Sequence, residues 1–230
     1  WISNEAYTAS SIATGYSVSK GNINIDSAGN KLSTFFDLAS QVGKRTALLT
    51  KGSLSYITPA SFCINSNSWE NEQGAAKKQL TSDIDLLLGG GRQYYSDVYG
   101  LDSLKNNNIN GYKYINSISE LGNLDESKEQ KLLGLFSEVE FKNSESDSLN
   151  LNKLFDYSID YLDNSPLGFT LLINNPKIDW HSHQNNKNKL LEELKRSKKV
   201  VKRALKYQRS NPNTLVLLFG GYNCGGVTIS

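Results

Sequence analysis

The sequence predicts an α/β fold, a three-layer α/β/α sandwich with a largely parallel central sheet. Short apolar runs of five or six residues alternate along the chain with longer segments of helical periodicity. That alternation is typical of an open, parallel sheet between two layers of helices. The chain has 230 residues, of which 38% are apolar and 21% are charged, and this composition suits a soluble domain with a substantial core.

Four apolar runs are the predicted strands. They are residues 46–50, 84–88, 169–173 and 214–219. The last run is apolar at nearly every position, so we expect it to be buried on both faces, as a central parallel strand is.

Three segments have apolar residues at helical spacing. Residues 32–42 fit an amphipathic helix that ends at Gly43, and a second helix is predicted around 154–162. A long helix is predicted over 190–205, before the turn that contains Pro212.

We predict a single domain over residues 1–230, with polar surface excursions near 102–112 and 138–152. The formal net charge is +2, so we expect no nucleic-acid partner, and the basic run within 195–206 is interpreted as a solvated helix face. No apolar stretch approaches the roughly 18 residues that span a bilayer, so no transmembrane segment is predicted. Cys63 and Cys224 allow one disulfide, but two unpaired thiols are favoured.

A candidate metal-binding pair follows the predicted strand 169–173. Asp179 and His183 supply a carboxylate and an imidazole, and cations bind at the C-terminal edge of many open α/β sheets. His181 lies between them and would point away on an extended segment, so we expect it to be exposed to solvent.

A glycine-rich stretch and a pair of glutamates are predicted to have structural roles and no catalytic one. The Gly-Gly-Gly-Arg stretch at 89–92 lacks the Gly-Lys-Ser/Thr ending of a phosphate-binding loop, and a tight strand exit is favoured. Glu192 and Glu193 on the long helix are expected to be ordinary surface charges.

Six stretches resemble motifs of the alkaline phosphatase family in order and spacing. They are residues 9–15, 56–62, 83–92, 131–136, 178–183, and 213–216 with 225–229. The resemblance covers nearly the whole chain and implies an alkaline phosphatase-like fold. It also implies the family's chemistry, in which two zinc ions and a magnesium ion generate a serine alkoxide and stabilise phosphoryl transfer.

Carried over by position, the resemblance places different residues at the nucleophile and the phosphate clamp. The family's Asp-Ser-Ala corresponds to Asn4, Glu5 and Ala6, so a carboxylate replaces the nucleophilic hydroxyl. The arginine that clamps phosphate is expected near Trp69, where the sequence contains no arginine. No intact catalytic residue is therefore predicted.

The resemblance also implies lost metal ligands. Gly221 and Tyr222 stand where the family has the Asp-His pair of its second zinc, and Asn174 stands where it has the magnesium-binding glutamate. The family's first-strand aspartate and last zinc-binding histidine would lie beyond the two ends of this sequence.

Three ligand positions match the family, namely Asp179, His183 and Thr58. We expect no cofactor, or at most one weakly bound divalent cation, zinc or magnesium. Two ligands make a weak site unless other residues complete it, and an Asp–His hydrogen bond kept for packing is an equally open interpretation.

Two functional hypotheses follow. The first is a catalytically inactive alkaline phosphatase-like protein with a binding or assembly role, whose partners are other subunits in a homo- or hetero-oligomer. The alternative is a divergent single-metal hydrolase of phosphate or sulfate esters that uses Glu5 with Asp179 and His183. A drifted residue in an inactive pocket is the favoured interpretation of Glu5. The resemblance favours a periplasmic or extracellular location in a bacterial-type cell envelope.

Overall fold

The structure, a computed structural model, describes residues 4–18, 20–106, 109–122, 130–141 and 150–221. Helices and strands alternate along these ranges. In chain order they are α1 (Glu5–Thr14), α2 (Phe35–Gln41), β1 (Arg45–Ser53), α3 (Ile57–Ser61), α4 (Glu72–Gln79), β2 (Leu86–Gly90), α5 (Arg92–Tyr99), α6 (Leu101–Lys105), β3 (Tyr112–Ile115), α7 (Ile118–Leu121), β4 (Lys131–Leu135), α8 (Leu151–Leu162), β5 (Phe169–Asn174), α9 (Lys177–His183) and α10 (Lys187–Ser210).

The strands form one five-stranded sheet in the order β3-β4-β2-β1-β5, and each of its pairings is parallel. In the register, Ala47 of β1 lies opposite both Leu86 of β2 and Leu171 of β5. Parallel strands place their C-terminal ends at one edge, so the segments that follow β1 and β5 meet there. The predicted α/β fold with a parallel sheet is confirmed.

Helices cover both faces of this sheet. Leu48 of β1 belongs to a core cluster that includes residues of α2, α4 and α5, whereas Ala47 and Leu49 belong to a second cluster with residues of α8 and α10. These three side chains are fully buried, and each leucine contributes about 1.5–3 kcal/mol by leaving water. The alternation along β1 produces the three layers.

The predicted fourth strand, residues 214–219, is wrong. This segment has no strand structure, and its large apolar side chains are exposed, among them Leu215 (76%) and Leu218 (77%). A strand exists through a hydrogen-bonded ladder, and this run forms none with β5, the outermost strand of the described sheet. Two strands absent from the prediction, β3 and β4, extend the other side of the sheet.

The predicted helices are present with shifted ends. The first begins at Phe35 because Thr34 and Asp37 form a capping box, in which each side chain bonds the other residue's backbone N–H. The helices predicted over 154–162 and 190–205 correspond to α8 and α10, and each is longer than predicted.

The predicted excursion near 102–112 is wrong for Leu104 and Tyr112, which are buried in α6 and β3. In the second excursion, residues 142–149 lie outside the described ranges. Cys63 is a free, buried thiol and Cys224 lies outside the described ranges, as Tyr222 does. No helix in the described part of the chain is long and apolar enough to cross a membrane.

Candidate functional site at the carboxyl edge of the sheet

Three helix segments bring the predicted site residues together. Glu5 is the first residue of α1, and the Asn4 side chain caps that helix by accepting a 2.8 Å hydrogen bond from the Tyr7 N–H. Thr58 lies in α3, which follows β1, and Asp179 lies in α9, which follows β5. The site therefore lies where the C-terminal ends of two adjacent parallel strands lead into helices.

The Glu5 carboxylate is held by hydroxyl groups. Thr58 Oγ1 donates a 2.7 Å hydrogen bond to Glu5 Oε1, and the Tyr56 hydroxyl lies near enough to favour the ionised carboxylate and so to lower its pKa. Burial raises the pKa of Glu5, and the negative charge of Asp179 adds to this effect. Thr58, Tyr56 and His183 act in the opposite direction, and the net shift of the Glu5 pKa is upward. Glu5, Asp179 and His183 are thus within electrostatic reach of one another.

Asp179 and His183 lie one helical turn apart on α9, with His183 Nε2 3.5 Å from Asp179 Oδ1. The expectation that His181 is exposed is wrong, because only 6% of it is accessible. Residues 177–183 are helical instead of extended. At about 100° per residue, a position two residues after Asp179 lies on the far side of the helix, where it packs into the protein.

An aromatic pair lies beside these groups. The rings of Tyr56 and Trp180 meet edge to face, with their centroids 6.2 Å apart and an interplanar angle of 81°. Burial and the charge of Glu5 raise the pKa of Tyr56 to about 12. Sequence reasoning assigned no role to either residue, although each is adjacent to or within two positions of a predicted ligand, which is the signal that could have found them.

The residues predicted to stand at the family's ligand and phosphate-clamp positions make ordinary structural contacts. Asn174 Oδ1, at the end of β5, accepts a 2.9 Å hydrogen bond from Thr50 Oγ1 of β1. Trp69 is half-buried and packs against the core. Gly221 is exposed at the end of the described chain.

A buried ion pair lies behind the edge of the sheet, and it overturns the expectation that Glu193 is a surface charge. Glu193 is 1% exposed and receives hydrogen bonds from Lys51, Asn175 and Arg196. Burial raises the pKa of Glu193, but these partners outweigh it and the net shift is downward. The physical reason for its burial is helical spacing, since Glu193 precedes the buried Val200 by two turns and shares its face. Glu192 is exposed, as predicted.

The glycine-rich stretch after β2 forms a tight exit. The backbone N–H groups of Gly91 and Arg92 both donate to Ser137 O, and that of Gln93 donates to Glu138 O. Donors that are already bonded do not form a phosphate cradle, which agrees with the structural interpretation of this stretch.

The described residues were compared with the metal centre that the resemblance implies. Within the described ranges, no group of three or more His, Cys, Asp and Glu side chains could hold a metal ion. Asp179 and His183 offer two donors, and a closed zinc site takes four.

A comparison of the sequence with models of known protein families identifies the family of this chain. The sequence model described as "Alkaline phosphatase" matches residues 2–227. The chain belongs to the alkaline phosphatase family. The predicted family resemblance is therefore confirmed.

The similar proteins and solved structures are also alkaline phosphatases. Alkaline phosphatase 4 of Bacillus subtilis is 27% identical over 99% of this chain and 50% of its own length, and alkaline phosphatase 3 of the same organism is 24% identical over the same shares. The cold-active alkaline phosphatase of a psychrophilic Shewanella superposes with a TM-score of 0.82 and 29% identity, over 92% of this chain and 52% of the other. The chain spans about half the length of the curated relatives it matches. A mutant of the alkaline phosphatase from the Antarctic bacterium TAB5 has magnesium bound in its M3 site.

Proposed function

We propose that this alkaline phosphatase family member does not hydrolyse phosphate monoesters by the serine route and serves instead in binding or assembly with other protein subunits. One observation carries the proposal. The carboxylate of Glu5, which stands where the family has its nucleophilic serine, is held at the site by the 2.7 Å hydrogen bond from Thr58.

A carboxylate cannot supply the alkoxide that attacks phosphorus in this family. Glutamate can form an acyl phosphate, but the transferring group then needs cations or a guanidinium to take up its charge. Trp69 occupies the region expected to carry that arginine, and it packs against the core.

The charge of the site opposes an anionic substrate. Glu5 and Asp179 are two carboxylates close enough for Asp179 to raise the pKa of Glu5. A phosphate monoester would be a third anion beside them, and such like-charge contacts disfavour binding. We propose that the site takes up no metal, or at most one weakly bound zinc or magnesium ion on Asp179 and His183.

A second candidate function has a specific observation in its favour. Asp179 and His183 lie side by side within electrostatic reach of Glu5, so they could serve a single-metal hydrolase of phosphate or sulfate esters if further ligands completed the site. Loss of the family's nucleophile weighs against it. We favour the inactive protein, with the periplasmic or extracellular location that the family resemblance suggests.

The test is an assay of aryl phosphate hydrolysis at alkaline pH with zinc and magnesium supplied. We expect the unmodified protein to show no turnover above background. Glu5→Ser alone should not restore activity, because the positions of the second-zinc ligands are still Gly221 and Tyr222. Turnover by the unmodified protein that Asp179→Ala abolishes, and that Asp102→Ala on the exposed surface of α6 leaves intact, would establish the single-metal hydrolase instead.

The assembly role has a separate test. Light scattering of the purified protein should give a mass above the 25.5 kDa of this chain, or a stable partner subunit should co-purify with it. A monomer at every concentration, with no partner, would contradict this part of the proposal.

A further inference from the structure

Helix α10 has one strongly cationic face. It is 24 residues long, or about 36 Å, and Glu193 and Val200 on its inner face are buried. Six exposed cations project from the opposite side. They are Lys195, Lys198, Lys199, Lys202, Lys206 and Arg209. At about 100° per residue they fall within about 100° of the helix circumference, and we call this surface the α10 cationic face.

The six cations of this face form no ion pair with the residues that the structure describes. Among the described residues, the ion pairs made by α10 cations are Arg196 with Glu193 and Arg203 with Asp156. Both arginines lie beside the face and not on it. The helix carries a single exposed carboxylate, that of Glu192, at the edge of the face near its N-terminal end.

The six cations of this face are many for a chain with a small net charge. The formal net charge is +2, so the six cations leave −4 on the rest of the chain. A helix face with six cations and one carboxylate at its edge has a positive local potential, and an anionic surface would attract the protein through that side. A uniformly solvated surface with mixed charges would have no such preferred side.

Exposed leucines lie beside the cations, Leu194 and Leu205 on one flank of the face and Leu191 at its N-terminal end. Leu191 is 45% exposed, Leu194 is 44% exposed and Leu205 is 39% exposed. Apolar side chains next to lysines and arginines are the composition of helices that lie in a membrane interface, where the cations meet headgroups and the leucines enter the acyl boundary. A nucleic acid would engage the cations but would give these leucines little to pack against.

We propose that the α10 cationic face docks this protein on an anionic lipid surface. The cations supply the attraction, and the aliphatic stems of the lysines and the neighbouring leucines supply apolar contact on the same side of the helix. This binding site is separate from the Glu5 site, and it does not depend on whether that site is active.

The experiment is co-sedimentation of the protein with vesicles of phosphatidylcholine containing phosphatidylglycerol, compared with vesicles of phosphatidylcholine alone. We expect binding to the anionic vesicles alone. Raising the salt from about 0.1 M to about 1 M shortens the Debye length from about 10 Å to about 3 Å and should release most of the protein. Equal binding to both vesicle types would overturn the proposal.

Two matched variants distinguish the effect of the α10 cationic face on binding from the effect of net charge. The first replaces four of its lysines by glutamine at 195, 198, 199 and 202. The control replaces four exposed lysines elsewhere, at 20, 31, 77 and 105, with the same change in net charge. Each cation near an anionic membrane contributes about fivefold in affinity, so the first variant should bind more than about a hundredfold more weakly. The control should keep most of its binding, and equal losses in the two variants would overturn the proposal.

The identity of the partner has its own test. Replacing Leu191 and Leu205 by serine should weaken binding to anionic vesicles, and the salt dependence of that binding should stay the same. Circular dichroism should show unchanged helix content in each variant, because all of these side chains are exposed. Binding to duplex DNA as tight as binding to the vesicles, and unaffected by the leucine changes, would replace the lipid surface by a polyanion and overturn the proposal.

Discussion

The ammonium of Lys51, near the C-terminal end of β1, lies 2.9 Å from each carboxylate oxygen of Glu193 on α10. Their side chains are 6% and 1% exposed. Arg196 and Asn175 complete the surroundings of the carboxylate, so both charges are compensated inside the protein. This pair joins the sheet to the long helix beside the segment that leads to Asp179.

Removing one partner of this pair should destabilise the protein strongly. Glu193→Leu leaves the Lys51 ammonium buried without its counter-charge, and such losses cost about 3–5 kcal/mol. Urea unfolding should show this loss, whereas Glu192→Leu at the exposed neighbouring position should change stability by less than about 0.5 kcal/mol. The double variant Lys51→Met, Glu193→Leu should recover much of the loss. A Glu193→Leu protein as stable as the Glu192→Leu protein would show that the pair is not a stabilising contact.

The raised pKa of Glu5 predicts an unusual dependence of stability on pH. A carboxyl group whose pKa is higher in the folded state favours folding below its unfolded pKa, and this contribution is lost as the pH rises through the folded value. Glu5→Gln removes the charge and keeps an acceptor for Thr58. We expect it to raise the free energy of unfolding at neutral pH and to make no difference below the ordinary pKa of glutamate.

Glu193→Gln is the matched control, because the pKa of Glu193 is shifted downward. Its ionisation favours folding above the unfolded pKa, and the contribution is lost as the pH falls through the folded value. The Gln variant should therefore be less stable at neutral pH and should approach the unmodified protein in acid. The free energy of unfolding at neutral pH should rise in Glu5→Gln and fall in Glu193→Gln. A change in the same direction for both variants would contradict the opposite pKa shifts of the two carboxyl groups.

Gly91 should resist substitution more than an unhindered glycine does. Its φ is +98°, and an added Cβ would lie 2.3 Å from Ser53 Oγ, whereas Gly29 has a φ of +87° with nothing within 4 Å of that position. Gly29→Ala should cost about 1–2 kcal/mol for the left-handed backbone alone. Gly91→Ala should cost about 1–3 kcal/mol more because of the overlap. Urea midpoints that are equal for the two variants would show that the exit from β2 adjusts freely.

Metal content tests the proposed loss of the family's ligands. Elemental analysis of protein purified without chelator should find at most one equivalent of zinc or magnesium per chain, since Gly221 and Tyr222 offer neither a carboxylate nor an imidazole. Any single bound equivalent should disappear in Asp179→Ala. Two equivalents of zinc per chain would refute the prediction.

Much of the fold was predictable because it depends on local pattern. The apolar runs 46–50 and 169–173 predicted two of the strands, and the helical spacing of apolar residues over 190–205 predicted the long helix. This spacing did not predict which leucines are covered, since Leu191, Leu194 and Leu205 are exposed. The motif order was also sufficient to place Glu5, Thr58 and Asp179 at one edge of the sheet, since parallel strands bring their C-terminal ends together. What these residues do chemically stays a prediction.

The sequence by itself determined the α/β class, the family and the identity of the side chains at the candidate site, because these follow from short-range periodicity and motif spacing. Only the tertiary structure decided that Glu193 is buried against Lys51, that His181 points inward and that residues 214–219 form no strand. Each of these depends on which surface lies opposite a residue, and contacts between residues far apart in the chain decide that. A carboxylate or an apolar run looks the same in sequence whether its partner is solvent, an ammonium or another strand.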